Sequence, residues 1–275
     1  MIELYHFDNS ICSERVRMVL QEKSISDYVS HPVDLFAGEQ FAPEYLKLNP
    51  LAQTPTLVHD GVVIRESSLI CEYIDDAYPE RSLKPKDPAG VAHMREWVKR
   101  SDERLYEAVA SLSFVSVFRQ ALNAKSAEDR ERHFRSQTDL HRLMRQRSCV
   151  DEGFSSDYVL RSVFDVMRLA EDLDKQLESH GPWLMGEQYT LAEINYSPFL
   201  ARLDALEMLD VLFAGKRAAG RWWRACAERP SFAAARVGPA IGREAAHYAN
   251  CGRSVRAELE SLIDRIRTSS IYDLI

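Results

Sequence analysis

Strand and helix signals alternate along residues 1–80, and their order restricts the fold more than any other feature of the chain. Ile2-Glu3-Leu4-Tyr5-His6-Phe7 is a short β run closed by Asp8-Asn9-Ser10, a cluster that favours a turn and a helix start. Val16, Val19 and Leu20 then recur at i, i+3 and i+4, the spacing of one helical face. A second strand is expected between Asp27 and Val33, and a short helix from Pro43 to Lys47. Thr56-Leu57-Val58 and Val62-Val63-Ile64 are brief apolar runs parted by His59-Asp60-Gly61, and Asp-Gly between such runs signals a hairpin. A further helix starts at Ser67, carries Ile70, Tyr73, Ile74 and Ala77 on one face, and stops before Pro79. The order βαβαββα predicts an α/β domain over residues 1–80, one small mixed sheet flanked by helices.

The Pro-rich stretch RSLKPKDP then reads as a linker, residues 81–89. Residues 90–275 show only helical periodicity and are expected to form an all-α domain. A long helix runs on from about Val91, with Trp97, Leu105 and Ala108 suggesting a buried stripe. An Arg-heavy insertion lies near 124–155, and Tyr158 to Leu177 is helical up to the break at His180-Gly181-Pro182. Thr190-Leu191-Ala192-Glu193 is a capping box, a hydroxyl at the N-cap with a carboxylate three residues on. Helices follow at Ala218 to Glu228 and around Val255 to Ile266, in a tail starting near Gly238. A chain of 275 residues suits two such domains.

Composition removes several classes of function. A net charge of -7 argues against nucleic acid as the main partner, because phosphate binding needs a strong basic field. No apolar stretch approaches the roughly 18–20 residues of a membrane span, and the strand-like opening MIELYHF is no secretory leader, so a cytoplasmic protein without membrane partners is expected. The cysteines (Cys12, Cys71, Cys149, Cys226, Cys251) are scattered, odd in number and without C-x-x-C spacing, which suits a reducing compartment. Cys71 and Cys226 fall in helical patterns, as small buried fillers do. No histidine pair has metal-ligand spacing, so no metal is expected.

Two helix starts, Asn9-Ser10-Ile11-Cys12-Ser13 and Glu66-Ser67-Ser68, each follow a strand and should share one carboxyl edge of the sheet. Free N–H groups and the helix dipole favour an anion there. One hydroxyl could stabilise a thiolate and the other site hold a carboxylate, as a thiol peptide carrying carboxylates would require. Ser10 and Ser67 equally suit plain N-caps, worth about 1 kcal/mol each. Pro55, one residue ahead of a strand, fixes a turn with a possible cis bond, and leaves Thr54 to offer its backbone to an extended peptide.

With LYHFDNSICSERVRMVL, LNPLAQTPTLVHDGVVIRESSLICEYIDDAYP and GEQYTLAEI in this order, the chain resembles the glutathione transferase superfamily over most of its length. The resemblance implies a thioredoxin-like domain followed by an all-helical one, usually in a homodimer, with glutathione as cosubstrate. It puts Ser10 where serine-type members activate the glutathione sulfur, and Thr54-Pro55 at the cis-proline step that pairs with the cysteinyl part. Glu66 and Ser67 match the acidic-serine pair that holds the γ-glutamyl group. Gln40 and Gln53 match contacts to the glycyl end or backbone. Glu193 replaces the family's usual aspartate, which should matter more to folding than to catalysis.

Within the superfamily, the insertion together with RESSLICEYIDDAYPE and HMREWVKRSDE is similar to bacterial glutathione-dependent β-etherases, which cleave aryl ethers derived from lignin. Ser10-Ile11-Cys12-Ser13 with FAPEYLKLNP is also similar to reductive dehalogenases of chlorinated hydroquinones, whose cysteine matching Cys12 attacks a glutathionyl intermediate. Maleylacetoacetate isomerases share a Ser-x-Cys-Ser arrangement, but Ile11 stands where they usually carry a second serine. A helix N-terminus raises the reactivity of Cys12, so Ser10 and Cys12 are both catalytic candidates. The expected reaction is attack of the thiolate on an aromatic substrate with loss of a phenolate. Phe7, Trp97, Phe114 and Phe118 are candidates for the substrate wall, though aromatics at helical spacing also serve as plain core. The arginines from Arg119 to Arg147 could form a basic lip or simply a solvated face. Trp222-Trp223 suits core packing. A redox enzyme using Cys12, a reductive dehalogenase or a thiol transferase, is the second reading, and a non-catalytic binding module the third.

Overall fold

The computed structural model describes residues 1–137, 139–236 and 239–269. The first eighty residues fold in the expected order: β1 (Ile2–His6), α1 (Ile11–Glu22), β2 (Tyr28–Pro32), α2 (Pro43–Leu48), β3 (Thr56–His59), β4 (Val62–Ile64) and α3 (Ser67–Ala77). β1 buries Ile2, Leu4 and His6 and leaves Glu3 and Tyr5 half-buried, the period-2 pattern of a strand with unequal faces. It pairs parallel with β2 and antiparallel with β3, and β3 pairs antiparallel with β4, giving the sheet order β2-β1-β3-β4. This is a thioredoxin-like sheet. Asp60 (φ 50) and Gly61 (φ 82) make the β3–β4 turn, both in the positive-φ region that a tight hairpin needs. β1 and β4 therefore run the same way, so their carboxyl ends and the start of β3 lie along one edge.

α1 packs on α3 and α13 (Pro230–Ala235), which is why its burial runs unbroken from Ser13 to Leu20 and takes in Arg15 and Arg17 with the apolar face. The expected face of α3 is turned from the observed one. Ile70 and Ile74 are buried, but so are Ser67, Cys71 and Asp75, whereas Tyr73 is half-buried and Ala77 is exposed. The rotation follows from a buried ion pair: Asp75 accepts from Lys23 Nζ at 2.7 Å and from the Leu83 amide at 2.8 Å, and Lys23 also donates to Arg81 O at 2.7 Å. The Pro-rich stretch after α3 is thereby fastened to it.

The remainder is helical: α4 (Pro88–Arg100), α5 (Tyr106–Ser113), α6 (Arg119–Asn123), α7 (Ala127–Arg135), α8 (Leu140–Asp151), α9 (Asp157–His180), α10 (Leu191–Ala205), α11 (Leu209–Leu212), α12 (Arg217–Ala227), α13, α14 (Pro239–Ser254) and α15 (Arg256–Arg267). Wide π turns at Ser101–Leu105 and Phe114–Phe118 join α4, α5 and α6 into one run, in which Leu105 and Ala108 are buried as expected. The sequence reading missed α14. Gly252 in that helix is needed for close approach, since a Cβ there would stand 1.6 Å from Leu206 O. Residues 237, 238 and 270–275, which the expected tail includes, lie outside the described residues, as does Thr138 in the expected insertion.

The chain gathers into two compact units. The first contains Met1–Lys99, Gln176–Pro198 and Arg221–Arg243. In it Tyr196 donates to Trp97 O at 2.8 Å, Leu191 N to Leu83 O at 2.9 Å, and Arg229 grips the Glu22 carboxylate at 2.7 and 2.8 Å. The second unit contains Arg100–Lys175, Phe199–Gly220 and the chain from Glu244 on. There the arginine-rich segment is mostly self-paired: Arg132 with Glu128 and Asp129, and Arg135 and Arg147 with Glu131. No described helix is long and apolar enough to cross a membrane.

Candidate functional site

Ser10 is the N-cap of α1, extended at φ -81 and ψ 118, and its Oγ accepts from the Ser13 amide at 3.2 Å. That contact uses an oxygen lone pair and leaves the hydroxyl proton able to donate outward. The loop behind it is held from both sides. The Ser10 amide donates to Phe7 O at 3.1 Å, and Arg17 Nη1 reaches the same carbonyl at 3.3 Å. Arg17 also donates to Asp8 O at 2.8 Å, to Ala235 O at 2.7 Å, and to His6 Nδ1 at 3.2 Å. His6 is 4% exposed, and burial first, then the Arg17 charge, lowers its pKa to about 4. It therefore stays neutral at physiological pH, with Nε2 2.7 Å from Ser30 Oγ.

At the start of β3 the Thr54–Pro55 peptide is cis. The paired register ends at Thr56 opposite Tyr5, so the main chain of Thr54 lies past the end of the ladder. α2 fixes the approach to it: Asn49 Nδ2 donates to Gln53 O at 2.9 Å and to Thr56 Oγ1 at 3.1 Å, and the Tyr45 hydroxyl contacts the same two acceptors. Thr54 Oγ1 and Gln40 Oε1 are buried and without a hydrogen-bond partner among the described residues. Gln40 Nε2 is turned back to Leu35 O at 3.4 Å.

After β4, Glu66 is the N-cap of α3 at φ 66 and ψ 112, a backbone region that few residues other than glycine adopt. Its side chain makes no cap bond, and Ser67 is the first helical residue, so the plain-cap expectation holds for Ser10 but not for Ser67. Ser67 Oγ accepts from Arg15 Nη1 at 3.2 Å, a bond that ties the second helix start to the first. Ser10, Thr54 and Glu66-Ser67 thus belong to the same sheet edge, at the end of β1, the start of β3 and the end of β4.

Sequence reasoning missed Arg15, Arg17, His6, Tyr45 and Asn49. The available signal was Arg15-Val16-Arg17 at the head of an otherwise apolar run, a polar interruption in a helix buried on both sides.

The remaining candidates are placed as follows. Cys12 is half-buried at the second position of α1. Cys71 and Cys226 are buried fillers, and burial pushes the thiols of Cys226 and Cys149 upward, the latter to about 11. Phe7 meets Phe36 edge-on with ring centres 5.2 Å apart. Trp97 is buried against Tyr196 in the first compact unit. Phe114 and Phe118 pair with each other in the second unit, 5.1 Å apart, and Phe114 packs on the Leu122, Phe134 and Val150 cluster. Trp222 and Trp223 are core. No cluster of His, Cys, Asp or Glu among the described residues could hold a metal.

Comparison with known proteins extends this picture. Residues 4–82, which contain Ser10, Thr54 and Glu66-Ser67, match the model for the glutathione S-transferase N-terminal domain. Protein LigF of Sphingobium sp. (strain NBRC 103272 / SYK-6) is 32% identical over 199 residues, which cover 70% of this chain and 75% of that protein. A tetrachloro-p-hydroquinone reductive dehalogenase of Sphingobium chlorophenolicum is 27% identical over 248 residues, covering 86% of this chain and 96% of the dehalogenase. The crystal structure of the β-etherase LigF matches the fold with a TM-score of 0.74 at 26% identity, covering 85% of this chain and 98% of that one.

Proposed function

This chain belongs to the glutathione S-transferase family, and from that we propose that it is a glutathione-dependent enzyme that cleaves β-aryl ethers. The observation that carries the glutathione site is the convergence on one sheet edge of the Ser10 hydroxyl, the Thr54 main chain and the Ser67 hydroxyl. Beside them, the buried Thr54 Oγ1 and Gln40 Oε1 lack partners that a peptide ligand can supply. Similarity to LigF in both sequence and fold favours ether cleavage over the other activities of the family.

Bound glutathione supplies a thiolate nucleophile. Ser10 holds that sulfur by donating its hydroxyl proton, with the amides that open α1 adding positive field. Thr54 pairs through its N–H and C=O with the cysteinyl backbone, as an added strand would. Glu66 and Ser67 grip the γ-glutamyl end, Gln40 and Gln53 the glycyl end, and Phe7 faces the aromatic group. Ser10 so aims the sulfur at the β-carbon, where a C–S bond forms as the C–O bond breaks and the phenolate leaves with the electron pair. Exposed Leu51, Val62 and Leu69, each more than half accessible in the first compact unit, suit a homodimer contact.

The test is incubation with glutathione and a β-aryl ether that releases a fluorescent phenol. Phenol and glutathionyl thioether should appear in equal amounts. Ser10→Ala should lower kcat/KM about thirtyfold, the worth of a hydrogen bond of about 2 kcal/mol to a charged sulfur. The second reading, reductive dehalogenation, is favoured by Cys12 in the first turn of α1 and by the dehalogenase similarity along 86% of the chain. In that case two thiols supply the electrons and end as a disulfide. Conversion of a chlorinated hydroquinone to the dechlorinated product, halted at the glutathionyl adduct in Cys12→Ser while the ether stays intact, would replace the first reading with the second.

A further inference from the structure

Arg17 has no part in the chemistry above, yet its surroundings are unusual for a buried cation. It is 2% exposed, and its four hydrogen bonds all go to uncharged acceptors: the carbonyls of Phe7, Asp8 and Ala235, and His6 Nδ1. It enters no ion pair among the described residues. A guanidinium taken out of water without a counter-ion is costly unless something else answers its charge.

No carboxylate among the described residues pairs directly with that charge. His6 on β1 is neutral at physiological pH. Asp8 is partly exposed and leans to His6 Nδ1 at 3.9 Å, acting on Arg17 only through its field, as Glu14 does from the same helix and the Tyr28 phenol from β2. α13 offers the Ala235 carbonyl. The acid that α3 buries, Asp75, is held by Lys23 at the far end of α1, and Arg15 is turned to Ser67. The Phe7 carbonyl is shared between Arg17 and the Ser10 amide, so the cation is coupled to the Ser10 turn through one oxygen.

We propose that Arg17 is the built-in counter-charge for the sulfur anion at Ser10, a positioning residue that sets the Ser10 turn through the Phe7 and Asp8 carbonyls and makes the bound thiol more acidic. The assignment rests on the glutathione reading of the site. Arginine suits the role because its fork spans several carbonyls at once while its charge stays fixed at every working pH. A lysine would keep the charge and lose most of that grip.

The test uses the whole chain as wild type, Arg17→Gln and Arg17→Lys. It follows the ultraviolet absorbance of the thiolate of bound glutathione against pH, alongside affinity for S-methylglutathione, which has no ionisable thiol. Arg17→Gln should raise the pKa of the bound thiol by about one unit, the low end of what a nearby opposite charge produces. S-methylglutathione affinity should change less than about threefold. Arg17→Lys should move the thiol by less than half as much, and it alone decides if Arg17→Gln does not fold. An unmoved thiol in folded Arg17→Gln overturns the assignment, as does a full-unit rise in Arg17→Lys. Equal losses of glutathione and S-methylglutathione binding also overturn it, because they mark a scaffold for the whole cradle. If the wild type binds neither ligand, the glutathione reading falls and this assignment with it; wild-type binding with an unmoved variant thiol removes this assignment alone.

Discussion

His6 links the candidate site to the stability of the fold. Its pKa falls from 6.5 to about 4, first through burial and then through Arg17, so the folded state favours the neutral ring. The stabilisation is complete above pH 6.5, and it is lost as pH falls from there toward 4, because the unfolded chain takes up a proton that the folded chain refuses. Between pH 7 and pH 5 the loss should reach about 2 kcal/mol in denaturant titrations, and His6→Gln should flatten that stretch of the profile. Glu66 provides a second single-residue test. Its φ of 66 costs on the order of 1–3 kcal/mol, so Glu66→Gly should hold or raise thermal stability while weakening glutathione binding at least tenfold by calorimetry. A variant that loses stability instead would place the role of Glu66 in the scaffold. The placement of Ser10, Thr54 and Ser67 along one sheet edge was legible because turn and helix-start chemistry is local. Arg15 and Arg17 were not, because an arginine's burial depends on which distant carbonyls and hydroxyls reach it.

Helix and strand order was read correctly wherever local chemistry decides it: the Asp60-Gly61 turn, the Ser10 cap and the stop before Pro79. The face of α3 was misjudged because an apolar-periodicity argument treats Asp75 as solvent-facing, whereas Lys23 and the Leu83 amide bury it. The capping box of α10 likewise depends on a buried acid. The Ala192 amide donates to Thr190 Oγ1 at 3.2 Å, and Glu193 Oε2 accepts from both the amide and the hydroxyl of Thr190 at 2.8 Å. Glu193 Oε1 also accepts from the Leu184 amide at 2.6 Å, a reach beyond aspartate, which accounts for the longer acid. Glu193→Ala should cost about 3 kcal/mol in denaturant unfolding by stranding buried donors, and Glu193→Asp about 1 kcal/mol. The KM for glutathione should stay within twofold in both, and a larger change would give α10 a part in binding.

Across the whole chain, the βαβαββα order and the all-helical remainder were both legible, since each follows from period and punctuation. How the chain divides into compact units was not, because that depends on bonds between distant residues such as Arg17 with Ala235 and Glu22 with Arg229. The proposed homodimer predicts a sedimenting species of twice the 31.5 kDa chain mass at micromolar concentration. Leu51→Glu together with Leu69→Glu should yield a monomer whose secondary structure by circular dichroism matches wild type, and an unchanged dimer would put the contact elsewhere. The two π turns also bear on how such a chain can change length. Each stores slack of about one residue inside a continuous helix, so losing one amino acid from Phe114–Phe118 could tighten the coil locally while both neighbouring stretches keep their phase.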